Sequence, residues 1–185
     1  MHVKEKSRRE IEEKLKTLGA FVKIDYLTSC LKQPIDFDTR RFALLKLAEL
    51  YEEKKMFFEA GRMMHNAAPI NTTIMEKISD YVYAGELFLK SGNFEHADIA
   101  FERAIGACET EQQRTNVKDK KINFYKQQAK SYLDNEKRQS AALAYEKLLS
   151  FNLASNEKKE AQETLLELYQ KLGKIKEFYS LKRTM

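Results

Sequence analysis

One spacing of large and small residues recurs along the chain and restricts its fold more than any other feature. Tyr81, Ala84, Gly85 and Phe88 are followed by Ala97, Phe101 and Ala104. The pattern also occurs at Leu44, Leu47, Ala48, Tyr51, Ala60, Met64 and Ala67, and at Tyr125, Gln128, Ala129, Tyr132, Ala141, Tyr145 and Leu148. Large residues fill the gap between two antiparallel helices, and small ones let the backbones approach. Repeated helical hairpins of this kind predict an all-α chain built as an α-solenoid. Such a chain offers a binding surface rather than a reaction centre.

The aromatics that close the first helix of each pair are Tyr51, Phe88, Tyr132 and Tyr169, separated by 37, 44 and 37 residues. The small residue of each second helix lies nine positions later, at Ala60, Ala97 and Ala141, with Phe178 in the last pair. Apolar stripes and punctuation delimit the rest. Ile11, Leu15 and Leu18, then Phe21, Ile24, Leu27, Cys30 and Leu31, predict a hairpin over 1–35 that caps the stack and ends at Pro34. Successive hairpins are predicted over 38–69, 72–108, 116–152 and 155–185, all within one domain, 1–185. Asp38, Asn71 or Thr72, and Ser155 or Asn156 are the expected helix N-caps. Gly92 and Gly173 suit left-handed turns. The polar stretch 109–121 lacks an apolar stripe and reads as a loop or a solvated helix extension.

The period and the signature resemble the tetratricopeptide repeat, whose usual length is about 34 residues. The match is fullest over 81–104 and covers 44–67 and 125–148 well, but 162–185 poorly. The lengthened period is similar to that of the SNAP family of membrane-fusion adaptors, although the chain ends in Tyr179–Met185 without an acidic, leucine-containing tail. The resemblance implies a right-handed superhelical stack that binds a peptide, helix or partner protein in its concave groove, with no cofactor. Some members of the family grip a terminal carboxylate through a lysine and an asparagine at positions corresponding to 45 and 49. Leu45 and Glu49 stand there, so the resemblance does not extend to that clamp.

The groove-facing stripe of each first helix supplies the candidate partner-binding residues: Phe42, Leu45, Glu49 and Glu52; then Ser79, Val82, Glu86 and Lys90; then Asn123, Lys126, Lys130 and Leu133. Charges on that stripe have no evident role within their own hairpin, and Glu49, Glu86, Lys126 and Lys130 are the expected contacts to a polypeptide. Net charge is +3 over 1–70, −5 over 71–112 and +7 over 113–185. The basic C-terminal half offers an alternative reading as a binder of nucleic acid or another anionic surface, through Lys118, Lys120 and Lys121 with Lys126 and Lys130. A more remote alternative is a SNAP-like adaptor.

The sequence contains no phosphate-cradling glycine loop, and His2, His65 and His96 lack metal-ligand spacing. Paired carboxylates such as Glu12–Glu13 lie among lysines, as solvated helix faces do. The expectation is a non-enzymatic protein without metal. Cys30 and Cys108 read as reduced core thiols. With no apolar run of about 20 residues and no signal-type segment, a cytoplasmic location is expected.

Overall fold

A computed structural model describes residues 3–185, with residues 20 and 21 as backbone only. Phe21, assigned above to an apolar stripe, therefore lies outside the described side chains, and His2 outside the described residues. Ten α-helices and one 3-10 turn form the chain, with no strand among the described residues. They are α1 (Arg8–Lys16), α2 (Ala20–Cys30), α3 (Phe37–Glu53), α4 (Phe57–Ala67), α5 (Ile74–Lys90), α6 (Phe94–Gly106), α7 (Glu111–Asp134), α8 (Arg138–Leu149), α9 (Ser155–Leu172) and α10 (Ile175–Lys182). Two compact units divide the chain at α7, Met1–Lys118 and Asp119–Met185. In the first unit α2 packs on α3, α3 on α4, α4 on α5 and α5 on α6; in the second, α8 packs on α9 and α9 on α10.

Four turns, after α3, α5, α7 and α9, have one geometry. Backbone N–H groups of Met56, Asn93, Lys137 and Lys174 donate to the carbonyls of Tyr51, Phe88, Tyr132 and Tyr169 at 2.8–2.9 Å. The residue before each donor, Lys55, Gly92, Glu136 or Gly173, has a positive φ of 58°, 80°, 55° or 68°. Its own N–H reaches back three residues, to Glu52, Leu89, Leu133 or Gln170. This is the Schellman closure, which satisfies carbonyls that the helix end would otherwise orphan. Its 37-, 44- and 37-residue spacing is that of the aromatics, because each aromatic supplies the accepting carbonyl.

The same aromatics enter the core. Phe88 is 2% exposed, and a Cβ placed on Gly61 of α4 would come within 2.9 Å of its ring. Phe101 of α6 lies as closely on Gly85 of α5, where a Cβ would approach to 2.8 Å. Phe58, Phe88 and His96 close a triad at centroid distances of 5.1–5.6 Å, tying α4, α5 and α6 together. Ala60, Ala97 and Ala141, the expected points of close approach, have no exposed surface. In the N-terminal part, Ile11, Leu15, Leu27 and Cys30 pack with Phe42, Ala43 and Leu47 of α3. Cys30 and Cys108 are buried free thiols.

Several predicted boundaries shift. Asp36, not Asp38, caps α3, accepting from the Thr39 N–H at 2.8 Å and from its hydroxyl at 2.7 Å. Thr73 caps α5, while Asn71 instead donates to Asp80, which also receives Arg41. The N-cap of α9 is Ala154, with no side-chain bond, so Ser155 and Asn156 are inside the helix. Helix α6 stops at Gly106, two residues before the expected end. Polar 111–121 is helical, and its start is fixed by a reciprocal pair: Gln113 N–H donates to the Thr110 hydroxyl, and Thr110 N–H to the Gln113 side chain.

Gly85→Ala gains about 1 kcal/mol of helix propensity, yet it drives a methyl into the fully buried Phe101 ring, an overpacking cost of about 1–3 kcal/mol; urea denaturation is expected to show a net loss. Phe88→Ala, which empties the same core, is expected to cost about 3–5 kcal/mol. At the turns, Lys55→Gly and Glu136→Gly are each expected to stabilise by about 1 kcal/mol by removing a left-handed non-glycine residue. Gly173→Ala, with open space around its Cα, is expected to lose a similar amount.

Candidate functional site

In the first unit, the candidate face is formed by α3 and α5. Glu49 is exposed, and Leu45, Glu52 and Glu86 are half-buried. Phe42 and Val82 are 8% and 7% exposed, so these two predicted groove residues are core residues with little surface to offer. The carboxylates already have intramolecular partners. Lys46 pairs with Glu49 at 2.7 Å, and Lys90 pairs with Glu86 at 2.9 Å and lies 3.9 Å from Glu52. The Tyr83 hydroxyl donates to Glu52; burial, and then that carboxylate, push the phenol's pKa upward. Lys90 also sits over the Phe57 ring, 5.9 Å from its centroid. Ser79 is exposed on the same helix.

In the second unit, α7, α8 and α9 surround an open pocket of about 410 Å³. Lys126, Lys130 and Leu133 line it from α7, Tyr145 and Leu148 from α8, and Glu157, Glu160 and Thr164 from α9. Lys126 donates to Glu157 at 2.6 Å, a bond that holds the Glu157 carboxyl below its ordinary range. Lys130 is exposed and forms no ion pair among the described residues. The lining therefore holds two lysines against Asp134, Glu157 and Glu160 and is not the basic surface that α7 alone suggests. Apolar Leu133 and Leu148 with half-buried Tyr145 give the pocket a mixed interior. Burial and the charge of Glu160 raise the Tyr145 pKa, so its hydroxyl stays a neutral hydrogen-bonding group. Asn123 is exposed outside this lining.

The proposed basic cluster separates. Lys118 and Lys120 are exposed, whereas Lys121 is 9% exposed with its ammonium 5.0 Å from the centre of the Phe151 ring. His65 faces Tyr81 at 5.3 Å; burial, then the nearby Arg103 charge, lower its pKa. His96 Nδ1 is 2.8 Å from the Asn93 side-chain oxygen. Among the described residues, no three His, Cys, Asp or Glu side chains converge as metal ligands. None of these helices is long and apolar enough to cross a membrane.

What α7 read in isolation could not reveal is Glu157, which lies 31 residues after its partner Lys126. Nor could it show that Lys121 turns toward Phe151. The only sequence signal for either is the hairpin repeat itself, which sets first helices side by side.

No protein-family model matches this sequence, and no curated protein matches it.

Because Lys126 stabilises the ionised form of Glu157, the folded state holds that carboxyl below 4.5. Its contribution is present above 4.5 and is lost as the pH falls through the lower folded-state value. Glu157→Gln is expected to lower the melting temperature at neutral pH. The difference from wild type should close on acidification, as measured by thermal denaturation across a pH series.

Proposed function

We propose that this chain is a non-catalytic protein-binding module of tetratricopeptide type, which takes a peptide or helix of a partner on the first-helix faces of its hairpins. The observation that carries this reading is the pocket of about 410 Å³ between α7 and α9. It combines apolar Leu133 and Leu148 with polar groups of both signs and with Lys130, whose ammonium forms no ion pair among the described residues. Pockets of this make-up fix orientation through a few polar groups and gain affinity from apolar burial. The four identical turns support the repeat reading, and the packing of α3 on α4, α4 on α5 and α5 on α6 supports stacked hairpins of solenoid type. A preformed face loses little entropy on binding. Two buried free thiols are in keeping with a reducing, cytoplasmic setting.

Charge enters differently from the sequence expectation. Glu49, Glu86 and Lys126 are held in ion pairs, so they act as fixed dipoles along the surface rather than as free charges. Lys130 and the apolar floor are the parts left to recognise a ligand. The test is affinity capture with quantitative mass spectrometry, comparing wild type, Lys130→Glu, Glu160→Lys and the outer-face double variant Arg103→Glu/Lys147→Glu. Both pocket variants are expected to reduce recovery of a reproducible protein partner by about tenfold, the effect of about 1.4 kcal/mol. The outer-face variant is expected to retain it. Loss with the outer pair and retention with both pocket variants would overturn the reading. Recovery of nucleic acid whose binding falls steeply with salt would instead favour the basic-cluster alternative.

A further inference from the structure

The pocket between α7 and α9 holds one closed ion pair and, one turn further on, a second pair of opposite charges that does not close. Lys126 of α7 and Glu157 of α9 meet at 2.6 Å, which sets the two helices side by side at that level. Lys130 follows Lys126 by four residues, and Glu160 follows Glu157 by three, so the next level again has a lysine on α7 and a glutamate on α9. Both line the pocket, yet neither forms an ion pair among the described residues. Opposite charges held apart on facing walls leave room for ligand groups between them.

The floor and the far end narrow the chemistry of that ligand. Leu148 and Ala161 are buried and Leu133 is half-buried, and together they offer a recess for an apolar side chain. Asp134, one turn after Lys130, is exposed and likewise forms no ion pair among the described residues. Burial, then the charges of Glu160 and Asp134, raise the pKa of the half-buried Tyr145 phenol, so both carboxylates bear on the same end of the pocket. The rim charges are therefore of both signs and ordered: Lys130 on the α7 wall, then two carboxylates around Tyr145.

We propose that this pocket takes an amphipathic helix of a partner protein that carries both signs beside its apolar stripe, with a carboxylate set against Lys130 and an arginine set between Glu160 and Asp134. The inference rests on the reading of the pocket as a peptide site and specifies the charge pattern of the peptide. Arginine suits the far end because its planar fork serves two carboxylates and stacks on an aromatic ring such as that of Tyr145. An apolar side chain of the same helix fills the recess over Leu133 and Leu148. A helix with flanks of one sign makes one of the polar contacts and is repelled at the other. Nucleic acid and anionic lipid fit less well, because their phosphates would meet Glu160 and Asp134. A second copy joined symmetrically through this face would set recess against recess and leave both unfilled.

The probes are three synthetic helical peptides with the same leucine stripe, titrated against the full chain by fluorescence anisotropy. One has glutamate on one flank and arginine on the other, one has glutamate on both, and one has arginine on both. Wild type is expected to bind the mixed peptide about tenfold more tightly than either of the others, since each single-sign peptide replaces an attraction by a repulsion. Lys130→Glu is expected to move the preference to the arginine peptide, and Asp134→Lys/Glu160→Lys to the glutamate peptide. Such an exchange of preferred peptide is a readout that a merely structural role would not produce. Far-UV circular dichroism and melting curves of these exposed-site variants are expected to match wild type. Equal binding of the three peptides, tightest binding of a single-sign peptide by wild type, no binding of any, or an unchanged preference in both variants overturns the proposal. So does a dimer in sedimentation velocity that dissociates on Glu160→Lys, by assigning the face to a second copy. If a captured protein partner is lost in Lys130→Glu and Glu160→Lys while the peptides are not discriminated, the pocket remains a peptide site and only this charge pattern is rejected. Retention of the partner in both variants rejects the pocket reading and the proposal together.

Discussion

Each hairpin depends on a turn in which one aromatic residue serves two purposes. The carbonyls of Tyr51, Phe88, Tyr132 and Tyr169 accept the N–H that ends the first helix, and their side chains reach other helices: Phe88 lies on Gly61 of α4 and beside His96 of α6, and the Tyr169 hydroxyl donates to Glu146 of α8. At Phe88 the helix end and the interhelix contacts are set by the same residue, so a slip in register there breaks both. The closure requires a left-handed residue four positions after the aromatic. Gly92 and Gly173 meet that need at no steric cost. Lys55 and Glu136 meet it with strain, and the surrounding hydrogen bonds to Glu52, Tyr51, Leu133 and Tyr132 hold them there.

The rings in turn require small partners. Phe88 on Gly61 and Phe101 on Gly85 bring helix backbones closer than any residue with a Cβ permits, and both rings are buried. This is a local jigsaw with steep costs on either side: removing a ring opens a cavity, and adding a methyl forces an overlap. The consequence for function is a scaffold whose first-helix positions are fixed by the core rather than by surface charges. The ion pairs on those faces, such as Lys90 with Glu86 and Lys126 with Glu157, decorate a geometry already determined.

The all-helical chain was legible because its signal is redundant, with seven positions reinforcing one another in each of the stretches 44–67, 81–104 and 125–148. Caps were less legible because adjacent residues of similar chemistry compete. Asp36 and Asp38 are both good caps, and only the geometry that gives Asp36 two bonds to Thr39 separates them. Asn71 was a reasonable cap by composition but is drawn away by Asp80. The start of α7 carries no apolar stripe, so periodicity misses it; Thr110 and Gln113 were the available signal. On the candidate faces, hydrophobic periodicity could not tell core from groove at Phe42 and Val82, because a helix facing two neighbours buries more than one stripe. Charge partners such as Glu157 come from the following hairpin, beyond the reach of any local reading.

Helix α10 shows how the same turn can prepare a surface. At eight residues it is too short to be stable alone, and it buries no residue of its own. It is held instead by the Gly173 closure, by Phe178 and Leu181 half-buried on the inner side, and by Lys174 tied to Glu146 and lying over the Tyr169 ring. Those constraints act on its start and inner side and leave Ile175 and Tyr179 outside. The short corner between α9 and α10 thereby fixes a helix on which Ile175 and Tyr179 stay exposed, because the contacts that hold it act elsewhere on its surface.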